Sequence, residues 1–309
     1  MAVMAVFVLA AAGCTKTADP PASSVTSVGL PQMSTTTEMA TTTGTATTTT
    51  GRPTTTTTPT TAPPAAPGRL QAVVDAFARR QAVSFSIVAV DRATGDRAAR
   101  LPETQVLSAS LYKLFVAREL LRRVYAGTLD RNAPAQDGEG RTMGDCIRAM
   151  IVVSDNRCGA AGLRAVGSGA LDPALRRDGF TRTSLASPQR TSAADIARFF
   201  ERARDGTLLG SGGEAATAEL YGLLRDQQIN DRLPAGLPPG TPIAHKTGDR
   251  LHWAHDAGIV TTPRGELLLV VLSGPWPAPC CDADHPGPAE ARAFGAIAGL
   301  AGELYAATS

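Results

Sequence analysis

Apolar positions run along this chain in two rhythms. Leu70, Val73, Val74 and Phe77 recur at helical spacing, which predicts an amphipathic helix over 70–82. Residues 83–90 then alternate and are rich in β-formers; a turn through Asp91 and Gly95 leads to a second short strand ending near Leu101. Leu114, Phe115, Ala117, Leu120, Leu121 and Val124 restore the helical period, with no Gly or Pro before Gly127. Helical tendency persists from Ser110 to about Leu224. The β rhythm returns in 241–246, 257–262 and 266–273, with Pro263-Arg264-Gly265 as a hairpin between the last two. Residues 290–305 close the chain as a helix. Strands at both ends with helices between them predict one sheet built from both chain ends, interrupted by an all-helical insertion.

The first 67 residues follow neither rhythm. Residues 1–13 are almost wholly apolar and end in Ala-Ala-Ala-Gly before Cys14, the pattern of a signal peptide with lipidation at Cys14. The alternative, an uncleaved apolar terminus, is too short to span a bilayer. From about Thr15 to Pro67 the chain is dominated by Thr, with Pro, Ala and Ser. Such a segment cannot bury enough surface to offset its ordering entropy. It reads as a disordered tether with a reach on the order of 40 Å, with the composition of an O-glycosylated stalk. The expected domains are therefore 1–13, 14–67 and 68–309, with the protein exported and anchored at the outer face of the cell membrane. A net charge of +2 gives no electrostatic footprint for nucleic acid.

Three short motifs carry the chemistry: Ser110-Leu111-Tyr112-Lys113, Ser154-Asp155-Asn156 and Lys246-Thr247-Gly248. A serine hydroxyl needs a base within hydrogen-bond reach to act as a nucleophile. Ser110 and Lys113 lie three apart on one helix face, in the first turn, where free N–H groups favour developing negative charge. A lysine serves as base only if its pKa falls, through burial or a neighbouring cation such as Lys246. Each motif alone is ordinary: a helix cap, a turn, a strand end. Their order and contexts are not, since Ser-Asp-Asn follows the apolar run 147–153 and Lys-Thr-Gly ends the strand-like 241–246.

On these residues, the segment 68–309 resembles the class A β-lactamase-like, penicillin-recognising serine enzymes. The resemblance implies an α/β (α+β) fold of the β-lactamase/transpeptidase type: an antiparallel sheet of about five strands flanked by helices, beside an inserted all-helical lobe. It implies that Ser110 becomes acylated, Lys113 is the proximal base, and Ser154, between Lys113 and Lys246, relays a proton to the departing nitrogen. Asn156 would bind the substrate's amide side chain, and Lys246 and Thr247 its carboxylate. Gly248 lets the backbone approach, and the N–H groups of Ser110 and Asp249 form the oxyanion hole. Asp155 is expected to brace its turn. No cofactor or metal is implied.

The departures are as informative. Class A β-lactamases carry a glutamate between the second and third motifs that activates the deacylating water. The corresponding stretch here, Gly179 to Ser192, contains no acid, and its neighbours Asp178 and Asp195 are expected to cap or decorate helices. Asp249 beside an oxyanion hole must point away or pair with a cation, with Arg250 the nearest candidate. Apart from Cys14, the cysteines are Cys146, Cys158, Cys280 and Cys281. In an exported protein they allow three connectivities. Cys146–Cys158 is favoured because it flanks and would brace Ser-Asp-Asn. His252, His255, Cys280, Cys281, Asp282 and His285 fit no strong zinc spacing. His245 is expected to pack on the strand face opposite Lys246, and Tyr112 either to line a cleft or to pack at a helix start.

The expected protein is a monomeric envelope serine hydrolase acting on β-lactams or the D-alanyl amides of peptidoglycan stems, with slow β-lactam release. The alternative is a tethered sensor or binding module that acylates without turnover.

Overall fold

The computed structural model describes residues 68–280 and 287–309. The expected signal segment 1–13, the tether 14–67 with Cys14, and Cys281, Asp282 and His285 lie outside the described residues.

In chain order the elements are α1 (Arg69–Arg80), β1 (Phe85–Asp91), β2 (Arg97–Arg100), β3 (Val106–Leu107), a 3-10 turn (Ala109–Leu111) and α2 (Tyr112–Tyr125). There follow α3 (Met143–Val152), α4 (Asn156–Val166), α5 (Asp172–Arg177), β4 (Arg190–Thr191), α6 (Ala193–Arg204) and α7 (Glu214–Arg225). A second 3-10 turn (Pro234–Gly236) leads to β5 (Ile243–Arg250), β6 (Trp253–Thr262), β7 (Gly265–Ser273) and α8 (Glu290–Thr308). Five strands form one sheet in the order β2-β1-β7-β6-β5, every neighbouring pair antiparallel. Strands from the two chain ends meet at β1 and β7, as the two apolar rhythms require.

Alternation along the central strands builds two cores. Val88, Val90, Leu268, Val270 and Leu272 face the helical insertion, where they meet Leu114, Phe115 and Phe199. Phe85, Ile87, Leu267, Leu269 and Val271 face the other way, onto Phe77 of α1 and Ile297 and Leu300 of α8. The central strands are buried on both faces, so they read as apolar runs rather than strict alternations. Helix α2 is buried from Lys113 to Leu121 and forms the axis of the helical lobe.

Three details depart from the sequence pattern. Ser110 sits in a 3-10 turn just before α2, not in the α-helix itself. Lys-Thr-Gly lies inside β5, which continues to Arg250 and turns through Leu251-His252 into β6, pairing Arg250 with Trp253. The polar residues Asp249, Arg250, His255 and Asp256 hide this extension in the sequence; the ladder to β6 carries it. Finally, β3 and β4 pair as a separate two-stranded sheet, Val106 opposite Thr191 and Leu107 opposite Arg190, which ties the acid-free stretch to the segment preceding Ser110. Among the described residues, no helix is long and apolar enough to cross a membrane.

Candidate active site

The three motifs converge on one cleft. The 3-10 turn at the head of α2 presents Ser110, and Ala109 before it takes φ 46. Lys113 follows one turn later, wholly buried. Its Nζ donates to Ser110 Oγ at 3.1 Å, to the Ser154 carbonyl at 2.6 Å and Oγ at 3.3 Å, and to Asn156 Oδ1 at 2.8 Å. Lys246 reaches in from β5, and its Nζ donates to the same Ser154 Oγ at 2.8 Å and to the Thr247 carbonyl at 2.9 Å. The Ser154 hydroxyl therefore bridges the two lysine amines.

Burial sets their electrostatics. Desolvation pulls Lys113 down to about 8, against the opposing pull of the Asp249 and Asp155 carboxylates. Lys246 is held well below its ordinary value, again by burial first and then by the charge of Lys113. Burial is the leading cause for both lysines, and their mutual repulsion works in the same direction. Such an arrangement can take a proton from Ser110 and pass one through Ser154.

The Ser154 turn is heavily braced. Ser154 itself lies at φ 56, a left-handed conformation that costs an ordinary residue roughly 1–2 kcal/mol. Asp155 caps α4 by accepting from the Cys158 N–H at 2.8 Å and ion-pairs with Arg141 at 3.0 Å. Arg141 also binds the buried Asp137. Cys146 of α3 and Cys158 of α4 form the disulfide across this turn; Cys280 is buried and also disulfide-bonded.

Two glycines permit close approach. A Cβ on Gly248 would meet Leu111 Cγ at 3.0 Å and the Ser108 carbonyl at 3.3 Å, so its absence lets β5 lie against the Ser110 turn. A Cβ on Gly159 would stand 2.5 Å from Lys113 Cε and 2.7 Å from Tyr112 Oη.

The cleft, about 320 Å³, is lined by Ser110, Tyr112, Asn156, Gln189, Asp249 and Arg250 among others. Burial raises the Tyr112 hydroxyl to about 12, so it stays protonated. Among the described residues, Asp249 is the one acid in this lining.

A profile of the Beta-lactamase enzyme family matches residues 68–304. The chain belongs to the β-lactamase enzyme family. This β-lactamase-family protein has a class A-like fold. It superposes on PBP-A with a TM-score of 0.65 at 22% identity, covering 77% of this chain and 95% of that one. For a reconstructed ancestral class A β-lactamase the values are 0.62, 24%, 77% and 99%. For a β-lactamase from Xanthomonas campestris pv. campestris they are 0.63, 22%, 78% and 97%. A point variant of PBP-A was solved as its acyl-enzyme with penicillin G, and matches with a TM-score of 0.67 at 20% identity over 77% of this chain and 95% of that one. At these identities the likeness is one of fold. No curated protein matches the sequence.

Some residues of this β-lactamase-family protein fall where the sequence suggested and others do not. Asp249 pairs not with Arg250 but with Arg232, whose Nη2 donates to Asp249 Oδ1 at 2.9 Å. Arg232 lies in the aperiodic segment after α7, where nothing in the sequence marks it. Asp195 sits in the first turn of α6, as expected, with Arg198 one turn on at 3.2 Å. It is buried and accepts from the Arg182 N–H and the Thr183 hydroxyl, both at 2.8 Å, bracing the acid-free stretch. Asp178 ends α5 at its C-cap, as expected, and also binds Arg118 of α2. His245 is buried against Asp256, 3.0 Å away, on the face opposite Lys246. His252 and His255 bond backbone carbonyls, of Trp276 and of Leu107 and Ala254. Gln189, which no motif marks, is the residue of the acid-free stretch that lines the cleft.

Proposed function

We propose that the protein is a cell-envelope serine acyl hydrolase, forming an acyl-enzyme on Ser110 with β-lactams or D-alanyl amides. The observation that carries this reading is the buried Lys113, with its lowered pKa and its Nζ 3.1 Å from the Ser110 hydroxyl. Neutral Lys113 takes the Ser110 proton as Oγ attacks the carbonyl carbon. The carbonyl oxygen becomes an oxyanion held by the backbone N–H groups of Ser110 and Asp249. As the C–N bond breaks, the nitrogen takes a proton from Ser154, which is resupplied from the lysine pair. Asn156 binds the acyl amide, and Thr247 with Lys246 binds the group beyond the departing nitrogen. Water then releases the acyl group. The acid-free stretch 179–192 supplies no carboxylate for that step, so release of a penicilloyl group is slow. The PBP-A acyl-enzyme with penicillin G supports a β-lactam as acyl donor. The tether and Cys14 place the domain at the outer face of the membrane in this proposal.

A fluorescent penicillin should label the protein, and Ser110→Ala should abolish labelling. Absence of label on folded wild type sinks the reading. The acid-free stretch also favours a second reading, a binding module that acylates once. Intact mass followed over time separates the two: an adduct that never decays supports the module, and one lost within minutes supports the hydrolase.

A further inference from the structure

We propose that Arg250 makes the acyl-side end of the cleft a subsite for an anion, so that the preferred acyl donor carries a carboxylate on its acyl side chain. This rests on the acyl-hydrolase reading and narrows its substrate class.

Residues two apart on a strand share a face. Gly248 faces the Ser110 turn, since a Cβ there would meet Leu111 Cγ at 3.0 Å and the Ser108 carbonyl at 3.3 Å. Arg250 stands two residues on, on that same face, exposed at the end of β5 and lining the cleft with Ser110, Tyr112 and Asn156. Thr247 and Asp249 belong to the opposite face. There Arg232 donates to Asp249 Oδ1 at 2.9 Å, and its Nε and Nη1 are buried without hydrogen-bond partners, as is the Thr247 hydroxyl. The strand thus has a guanidinium on each face. Asp249, the acid of the lining, is engaged by Arg232. The Arg250 side chain has no ion pair or hydrogen bond among the described residues.

The two faces meet different ends of a bound acyl donor. In the proposed reaction Thr247 serves the side of the departing nitrogen, and neither it nor Lys246 lines this cleft. Asn156, which does, binds the acyl amide. The group beyond that amide therefore extends toward Tyr112 and Arg250, and Leu107, Ala160 and Leu163 offer an apolar wall to its carbon chain. The Tyr112 hydroxyl has no hydrogen bond among the described residues. It stays protonated, raised to about 12 by burial, with the Arg250 charge pulling the other way. A phenol that donates beside a guanidinium that donates as a fork suits a carboxylate, whereas a neutral amide leaves the cation without a counter-charge. A D-alanyl amide would meet this requirement with a carboxylate on the residue preceding its D-alanyl unit.

The test compares acylation rates by two penicillins, one with a glutaryl side chain and one whose terminal side-chain carboxylate is replaced by a primary amide. Rates are read by intact mass on wild type, Arg250→Gln and Arg250→Lys. The two compounds are nearly isosteric and differ by one charge, and any effect of the substitutions on Lys113 is common to both and cancels in their ratio. Wild type should favour the acid over the amide by about fivefold or more, the scale of a charge-assisted hydrogen bond at a partly exposed site. The ratio should fall to about one in Arg250→Gln, stay above one in Arg250→Lys, and shrink in wild type as salt is raised. The wild-type ratio and its salt dependence need no variant, so a folding defect cannot hide the answer. Equal wild-type rates, a ratio unchanged in folded Arg250→Gln, or no adduct with the acid where benzylpenicillin gives one overturns the subsite and leaves the acyl-hydrolase reading in place. Failure of folded wild type to form an adduct with any of the three compounds overturns both.

Discussion

In the proposed acylation, a lysine buried among oxygen acceptors is both base and titration probe. Lys113 sits at about 8, lowered by burial and held up by Asp249 and Asp155. Only its neutral form can accept the Ser110 proton, so acylation should rise with pH and level off above that value. Because Lys113 and Lys246 share the Ser154 hydroxyl, the limb belongs to the coupled pair. Asp249→Asn removes a carboxylate that stabilises the charged lysine, and the limb should move to lower pH. Stopped-flow acylation over roughly pH 6 to 10 checks both the position of the limb and the sign of its shift. His255 works in the opposite sense, on stability. Fully buried, it is pushed from 6.5 to about 4, by burial first. Folding therefore favours the neutral ring, and stability is intact above pH 6.5 and lost as pH falls toward 4. The loss amounts to roughly 3 kcal/mol. Denaturant midpoints across that window should flatten in His255→Gln; a slope equal to wild type would assign the acid loss to other groups.

At the scale of elements, α4 must pass close over the head of α2, and Gly159 sets the distance. A methyl group there would stand 2.5 Å from Lys113 Cε. Gly159→Ala should displace the lysine from Ser110 and slow acylation by about tenfold or more, while the overpacking against Tyr112 and buried Lys113 costs about 1–3 kcal/mol of stability. Single-turnover acylation beside a melting curve separates displacement of the base from misfolding. None of this close packing shows in the sequence. What was legible was the long periodic elements: α1, α2, α8 and the apolar β1 and β7, whose burial on one or both faces leaves a strong pattern. The motifs were legible because their chemistry needs fixed residue types. The two-residue β3 and β4 leave no period, and the polar end of β5 reads as loop because its edge position frees Asp249 and Arg250 from the core. Arg232 was invisible for a similar reason: its partner is seventeen residues away across an irregular connection, and only the folded chain brings them together. The favoured Cys146–Cys158 pairing is present, because a helix entering the Ser154 turn and one leaving it must come close at the turn.

At the scale of the whole molecule, the two halves of the proposed reaction draw on different parts. Acylation uses the junction of sheet and helical lobe. Release depends on what the 179–192 stretch brings to the mouth of the cleft, and it brings Gln189. That stretch is firmly held. Asp172 accepts from the Leu185 N–H at 2.8 Å, Asp195 from Arg182 and Thr183 at 2.8 Å, and the Gln189 carbonyl takes the Ser108 N–H at 3.0 Å. The backbone on both sides of Gln189 is thus fixed by residues outside it, and its side chain can change without moving the loop. Gln189→Glu is nearly isosteric and puts a carboxylate at the mouth of the cleft that holds Ser110. It should be able to orient and deprotonate a water, and the penicilloyl adduct should decay at least about tenfold faster than in wild type, as expected for a positioned general base. Time-resolved intact mass after a pulse of benzylpenicillin measures this directly. If the adduct persists unchanged, a carboxylate at this position does not limit release.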